Sequence, residues 1–272
     1  MHDKKPVNYK EIAIIKGYKY SEKVKMTICR KYYDSTYNHS LDAVIKGAKG
    51  TVNDEKLDYN LSRAKNTVFE LAICNPWRLF GTFTIDADLH PRDDLKGYYK
   101  KFSQWIRNYN KKYNINIKYL FVPERHKDGS WHMHGFIYGL PESHLVPFKK
   151  GDKSKNGKPI KSDLWRNGYY NWSAYAKKFG FNSFDFIKNH EAVSKYATKY
   201  LTKDVESSVK EVNAKSYYNS RGLEKATEYI RGYLAVPVKD VDCDFINDYV
   251  KIIDFYKKDL PFIYDNIIPL DN

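Results

Sequence analysis

Trp131-His132-Met133-His134-Gly135-Phe136-Ile137-Tyr138 is an apolar run that carries two histidines, two residues apart. Side chains alternate across a β-strand, so a strand here sends His132 and His134 out of one face. Working upstream, Lys127-Asp128-Gly129 separates this run from another apolar stretch, Ile115 to Val122. A three-residue hairpin loop puts Gly129 at the left-handed position such loops favour and sets Glu124 opposite His132. A two-residue Asp-Gly loop would instead bring Arg125 opposite His132. Further back, Leu79 to Asp86 alternates as a strand, with Thr82 and Thr84 on one face and Phe83 and Ile85 on the other. Between these strands Leu95 to Tyr113 repeats Tyr98, Phe102, Trp105, Ile106 and Tyr109 at helical spacing. Downstream, Pro141 to Pro159 is a polar insert, Tyr169 to Tyr175 reads as a strand, and Phe184 to Lys203 reads as a helix. The order predicts an α+β fold: a central antiparallel sheet carrying the histidine strand, with helices on one side.

The last helix carries the other chemical half. Tyr196, Lys199, Tyr200 and Lys203 run at i, i+3, i+4 and i+7 and share one face. Tyrosine, with a reference pKa of about 10, is a weak nucleophile at neutral pH. A cation one turn away favours the phenolate or neutralises phosphate charge, and each tyrosine has a lysine three residues on. Val193, Tyr196, Ala197, Tyr200 and Leu201 also describe an ordinary amphipathic stripe. His132 and His134 with the Glu124 carboxylate suit a divalent ion, Mn²⁺ or Mg²⁺, with open positions for a phosphate oxygen. His126 has the same strand parity as Glu124 and is its rival for the third ligand. Together the halves are the parts of a nucleic-acid cleavage site that passes through a covalent tyrosine intermediate.

Composition agrees with a polyanionic partner. The chain has 272 residues, a net charge of +14, an isoelectric point near 9.3 and 25 tyrosines. Tyrosines beside lysines stack bases while the cations neutralise phosphates; lysine- and tyrosine-rich composition also arises from an AT-rich genome. Cys29, Cys74 and Cys243 are far apart and form neither a disulfide framework nor a zinc ribbon. The polar N-terminus and the lack of a long apolar run lead to the expectation of a soluble cytoplasmic protein with no membrane partner.

On these residues the chain resembles the HUH-superfamily replication initiators, the rolling-circle Rep endonucleases of small phages and plasmids. Phe80-Gly81-Thr82-Phe83-Thr84 resembles the first Rep motif. His132-Met133-His134 resembles the HUH metal motif. Tyr196-Ala197-Thr198-Lys199-Tyr200-Leu201-Thr202-Lys203 resembles the two-tyrosine motif of microvirus-type initiators, and Ser220-Arg221-Gly222-Leu223 is similar to a segment that often follows. The resemblance covers Pro76 to Leu223. It implies a Rep-type, ferredoxin-like HUH fold and a metal-dependent, site-specific single-strand DNA endonuclease and strand transferase. One tyrosine would become linked to the 5′ end at the origin, and the other would cut the regenerated origin before the strands are rejoined. The host cell, a bacterium, would supply helicase and polymerase. No nucleotide cofactor is implied: Gly151 to Pro159 superficially resembles a phosphate loop, but five residues part its glycines and Pro159 stands where Ser or Thr belongs. It reads as a mobile basic loop.

The expected organisation is an N-terminal extension over 1–75 packed on the core, an endonuclease core over 76–204, and a C-terminal extension over 205–272 completing the domain. Thr82, Thr84, Arg166 and Arg221 are candidates for contacts to single-stranded or hairpin origin DNA, with Lys199 and the 149–161 loop. Two other readings are kept. One is an HUH single-strand transposase or relaxase, although no third histidine or N-terminal nucleophile is seen. The other is a non-catalytic basic nucleic-acid-binding domain.

Overall fold

A computed structural model of the protein describes residues 11–29, 54–203, 215–246 and 250–270; side chains are described for all of these but 54–60, 202 and 203. In chain order the elements are β1 (Ile12–Gly17), β2 (Lys23–Cys29), α1 (Asp54–Ile73), β3 (Leu79–Thr84), α2 (Leu95–Tyr113), β4 (Lys118–Arg125) and β5 (Trp131–Tyr138). There follow β6 (Leu145–Pro147), α3 (Ser162–Arg166), β7 (Tyr170–Trp172), α4 (Ser173–Lys178), β8 (Asn182–Phe186) and α5 (His190–Lys203). The chain ends with β9 (Tyr218–Asn219), β10 (Thr227–Leu234), β11 (Phe245–Ile246), β12 (Val250–Tyr256), α6 (Leu260–Tyr264) and β13 (Ile267–Pro269). The fold is α+β, with two antiparallel sheets. It divides into two compact units, Lys49–Glu224 and the two chain ends, Met1–Ala48 with Lys225–Asn272.

In the larger unit the strands run β6-β7-β8-β3-β5-β4-β9, so the histidine strand β5 lies between β3 and β4. The sheet is covered on both faces rather than on the one expected. Phe83, Phe121, Met133 and Ile137 pack with Tyr98, Phe102 and Ile106 of α2 on one face. Leu120, Val122 and Phe136 pack with Val68, Leu71 and Ala72 of α1 and with Ala197 and Leu201 of α5 on the other. The reason is in the strands themselves: β3, β4 and β5 alternate yet place apolar side chains on both faces, and both must be taken out of water. Gly81 and Gly135 face each other across β3 and β5. A Cβ on Gly135 would stand 2.2 Å from the Leu120 carbonyl oxygen and 2.5 Å from the Phe121 ring, so the close fit requires glycine there.

Two elements differ from expectation. Tyr169 to Tyr175 is strand only over β7, after which Ser173 opens α4. The Asn182 side chain grips the Trp172 backbone, with N–H···Oδ1 at 2.7 Å and Nδ2–H···O at 3.2 Å, and ends the strand. Tyr175 then turns into the core, where its hydroxyl meets that of Tyr98 at 2.7 Å. The stretch from Phe184, read as helix, begins as strand β8 paired with β3. Phe184 packs edge-on against Phe83 with centroids 5.0 Å apart, so tertiary burial overrides the helical spacing. The helix starts at His190, where Asn189 Oδ1 accepts the Ala192 N–H at 2.9 Å.

In the smaller unit the order is β11-β12-β2-β1-β10-β13. The strands close over Ala13, Ile15, Val24, Met26, Ile28 and Ile267. Strands from the two chain ends pair with each other here, β1 with β10 and β2 with β12, while α1 lies in the larger unit.

Candidate active site

The hairpin β4–β5 sets the geometry. Gly129 is left-handed with φ of +81°, and the His126 N–H donates to Ser130 O at 2.8 Å. The register is the one a three-residue loop predicts: Glu124 pairs with His132 and Arg125 with Trp131. On the other side of β5, Thr82 pairs with His134 and Thr84 with His132. The candidates thus form two rows on one face, Thr84-His132-Glu124 and Thr82-His134-Val122.

Each histidine has its Nδ1 against a threonine hydroxyl, His134 with Thr82 Oγ1 at 3.2 Å and His132 with Thr84 Oγ1 at 3.3 Å. Both Nε2 atoms are left for other partners. His134 Nε2 donates to Glu124 Oε2 at 2.6 Å, with both side chains about seven-eighths buried. The His132 ring lies against that of His126, centroids 4.0 Å apart. Its Nε2 stands 3.5 Å from Arg92 Nη2, which also donates to Ser130 Oγ at 2.9 Å. Burial, and then the charges of His126, Arg92 and His134, outweigh Glu124 and push the His132 pKa down to about 4. A neutral imidazole is the ligating form. The two threonines, expected as DNA contacts, have their hydroxyls on the imidazoles.

Among the described residues no three His, Cys, Asp or Glu side chains stand ready to hold a metal ion. The chemistry of the donor set nevertheless fits: two imidazoles with Nδ1 against threonine hydroxyls and a carboxylate already hydrogen-bonded to one of them, nitrogen and oxygen donors of the kind a divalent ion takes.

On α5, Ala197 and Leu201 are core residues, and the tyrosines stand beside them. Tyr200 stacks flat on His134, ring centroids 3.9 Å apart at 10°. Its hydroxyl donates to Tyr196 Oη at 2.7 Å. Burial, then the bond and proximity to Tyr196, then Glu124, hold the Tyr200 phenol well above its usual pKa. Tyr196 is 45% exposed and touches the edge of Phe80. Lys199 Nζ stands 5.8 Å from the Tyr196 ring centroid, whereas the Lys203 side chain lies outside the described residues. A cavity of about 550 Å³ opens beside Thr82, His134, Tyr196 and Tyr200. The structure therefore brings Glu124, His132, His134, Tyr196 and Tyr200 together. It does not bring in the two expected arginines: Arg166 lies over Trp165 on α3, and Arg221 lends its carbonyl to Lys118 Nζ. Arg92 was not foreseen. It follows Pro91 ahead of α2 and is placed by its carbonyl, which accepts the Trp131 N–H at 2.9 Å.

Residues 78–205 match a family model of replication-associated proteins, the ORF2 family. The matched span runs from β3 through α5 and takes in every residue of the cluster just described. It supports a role as a replication initiator that binds DNA. Comparison with curated proteins and with solved structures gives no match. Among the described residues no helix is long and apolar enough to cross a membrane.

Proposed function

We propose that the chain is a rolling-circle replication initiator of the two-tyrosine HUH type, nicking single-stranded or hairpin origin DNA. The observation that carries the reading is the stack of Tyr200 on His134, with Tyr196 hydrogen-bonded beyond it. It puts two nucleophile candidates, the outer one 45% exposed, beside the largely buried imidazole and carboxylate pair. A divalent ion, Mn²⁺ or Mg²⁺, held by Glu124, His132 and His134 would supply Lewis-acid polarisation of the scissile phosphate. No nucleotide is required, because the phosphotyrosine conserves the bond energy for rejoining.

The protein's own groups divide the remaining work. Thr82 and Thr84 fix the imidazole rings so that both Nε2 atoms face the reaction side. Tyr196, exposed and accepting the Tyr200 proton in a hydrogen bond, is the first nucleophile. Its own proton leaves to solvent as its oxygen bonds to phosphorus. The bond from phosphorus to the 3′ oxygen breaks, that oxygen takes up a proton, and the 5′ phosphate remains on the ring. Tyr200, one helical turn on, is placed to repeat the attack on the regenerated origin. Lys199 adds positive charge where the phosphate passes. Host helicase and polymerase would act with it in the bacterial cytoplasm.

The test is a covalent-adduct assay on single-stranded oligonucleotides covering the replicon, with Mn²⁺ or with chelator, resolved on a denaturing gel and peptide-mapped. The expected result is a metal-dependent adduct on Tyr196 that disappears in the Tyr196→Phe, Tyr200→Phe double variant while DNA binding persists. An adduct that survives in the double variant overturns the mechanism.

A further inference from the structure

The cavity beside Tyr196 and Tyr200 continues past them along the sheet. Its wall includes Asp185, Tyr169 and Lys188, none of which the nicking reaction employs. Strand β8 puts Asp185 there. Asp185 pairs with Phe80 and Ser183 with Thr82, so Asp185 shares the face that carries Thr82 and His134. Two strand steps across and two residues along separate it from His134, a backbone distance of about 12 Å. Asp185 therefore stands off a phosphate held at the histidines rather than joining it, and at that range salt largely screens the repulsion between them.

The Asp185 side chain is only partly buried, and among the described residues its oxygens accept no hydrogen bond and form no ion pair. A carboxylate is an acceptor with two oxygens and no donor. An occupant of the cavity that displaces its water must return N–H groups in exchange. A nucleobase does so, because the Watson–Crick edge of a single strand is open to the protein. Only guanine turns two adjacent donors, N1–H and N2–H, toward one partner, and these match both oxygens of a carboxylate; cytosine and adenine offer one amino group there and thymine one imino group. Tyr169 supplies ring surface, partly exposed at the same cavity. Burial, then the neighbouring Asp185, Tyr196 and Asp163, hold its phenol above the usual pKa, so it stays neutral beside the nucleophile. Positive charge is at hand too. Lys155, on the 149–161 insert that folds as a hairpin instead of the mobile loop expected, is paired with Asp86 and Asp88. Lys188, by contrast, is exposed at this cavity and makes no ion pair among the described residues.

We propose that this cavity receives one guanine base of the single strand next to the scissile phosphate, with Asp185 as the residue that selects it, and the proposal rests on the nicking role above. The two Asp185 oxygens accept the N1–H and N2–H of the base, the base lies against the Tyr169 ring, and Lys188 adds positive charge for the backbone of that nucleotide. Part of the choice of cleavage site is then made on β8, one strand away from the threonines that hold the histidines.

The probe is a pool of single-stranded oligonucleotides of randomised sequence, bound to the full chain with metal chelated so that no strand is cut, and sequenced after selection. The parent should enrich guanine at one position. Asp185→Asn keeps the size of the side chain but trades one acceptor for a donor; it should lose that preference while binding the unselected pool nearly as tightly as the parent. Replacing the selected guanine by inosine, which lacks the N2 amino group, should weaken binding to the parent about tenfold and leave the affinity of Asp185→Asn unchanged. Tyr169→Ala should weaken the whole pool about tenfold whichever base is present. No guanine preference in the parent, or an equal preference in Asp185→Asn, overturns the proposal. The inosine comparison is made on the parent and stands whether or not a variant folds. The Mn²⁺-dependent adduct is read separately on the selected sequence. A guanine preference without an adduct sinks the nicking reading and keeps the base pocket. An adduct without a guanine preference sinks the pocket alone. No binding at all sinks both.

Discussion

Thr82→Val separates the two jobs a strand threonine could have at this site. Valine keeps the β-branched shape that suits β3, so the fold should lose less than about 1 kcal/mol. What it removes is the hydroxyl 3.2 Å from His134 Nδ1. The His134 side chain is only 13% exposed, so water is poorly placed to replace that hydroxyl. A ring freed at Nδ1 can present either nitrogen, and part of its population no longer offers Nε2. Loss of a partner behind a ligating histidine typically costs about 10- to 100-fold in metal affinity, or roughly 1.4–2.7 kcal/mol.

Isothermal titration of the parent and the variant with Mn²⁺ would measure this directly. Long-range ¹H–¹⁵N correlations of the imidazoles would report the tautomer of His134. The expected result is a weakening within that range, a mixed His134 tautomer and unchanged DNA binding in chelator. A folded variant that binds Mn²⁺ like the parent refutes the claim that Thr82 orients His134. A variant that loses DNA affinity in chelator, with metal affinity intact, returns Thr82 to the role of a DNA contact. Failure of the parent to bind Mn²⁺ would remove the metal from the scheme altogether.

Other substitutions probe separate parts. Glu124→Gln retains an acceptor for His134 Nε2 but not the charge; metal-dependent adduct formation should drop roughly a hundredfold or more, whereas His126→Ala should leave Mn²⁺ affinity near that of the parent, and the reverse pattern would make His126 the third ligand. Gly135→Ala drives a methyl to 2.2 Å from the Leu120 carbonyl, and since backbone cannot swing aside, urea denaturation should show a loss of about 2–3 kcal/mol or more; an unchanged midpoint would mean that β4 and β5 are not packed this closely. In the smaller unit Lys251 is 8% exposed and lies 3.1 Å from Asp240 and 3.4 Å from Glu11. Burial opposes its charge, but the two carboxylates outweigh burial and raise its pKa. Lys251→Met should cost about 1–3 kcal/mol, discounted from a fully buried pair because Asp240 is largely exposed. Because the folded pKa is raised, that difference should hold steady up to about pH 10 and shrink only as pH climbs through the raised value. A difference that vanishes at neutral pH would refute the pairing.

The parts of the site that were legible in the sequence are those written in local chemistry. Gly129 prescribes its own backbone conformation, that conformation sets the hairpin register, and the register alone brings Glu124 opposite His132. Tyr196 and Tyr200 needed only the helical period to share a face. The parts that were not legible depend on partners remote in sequence. Phe184 reads as helix until the Phe83 ring is beside it, and Tyr175 reads as strand until Asn182 has stopped β7 and the Tyr98 hydroxyl is waiting in the core. The strand Lys23–Cys29 carries a clear alternation but draws its meaning from β12, more than two hundred residues later, so the union of the chain ends could not be seen from either. Arg92 is the sharpest case. It has no motif, and its position follows from one backbone hydrogen bond to Trp131 and from where α2 begins. Yet its guanidinium stands 3.5 Å from His132 Nε2 and holds Ser130 Oγ at 2.9 Å. A residue of this kind emerges only after the sheet is assembled, which is why the nucleophiles and ligand candidates of such a site can be read from sequence while the groups packed around them cannot.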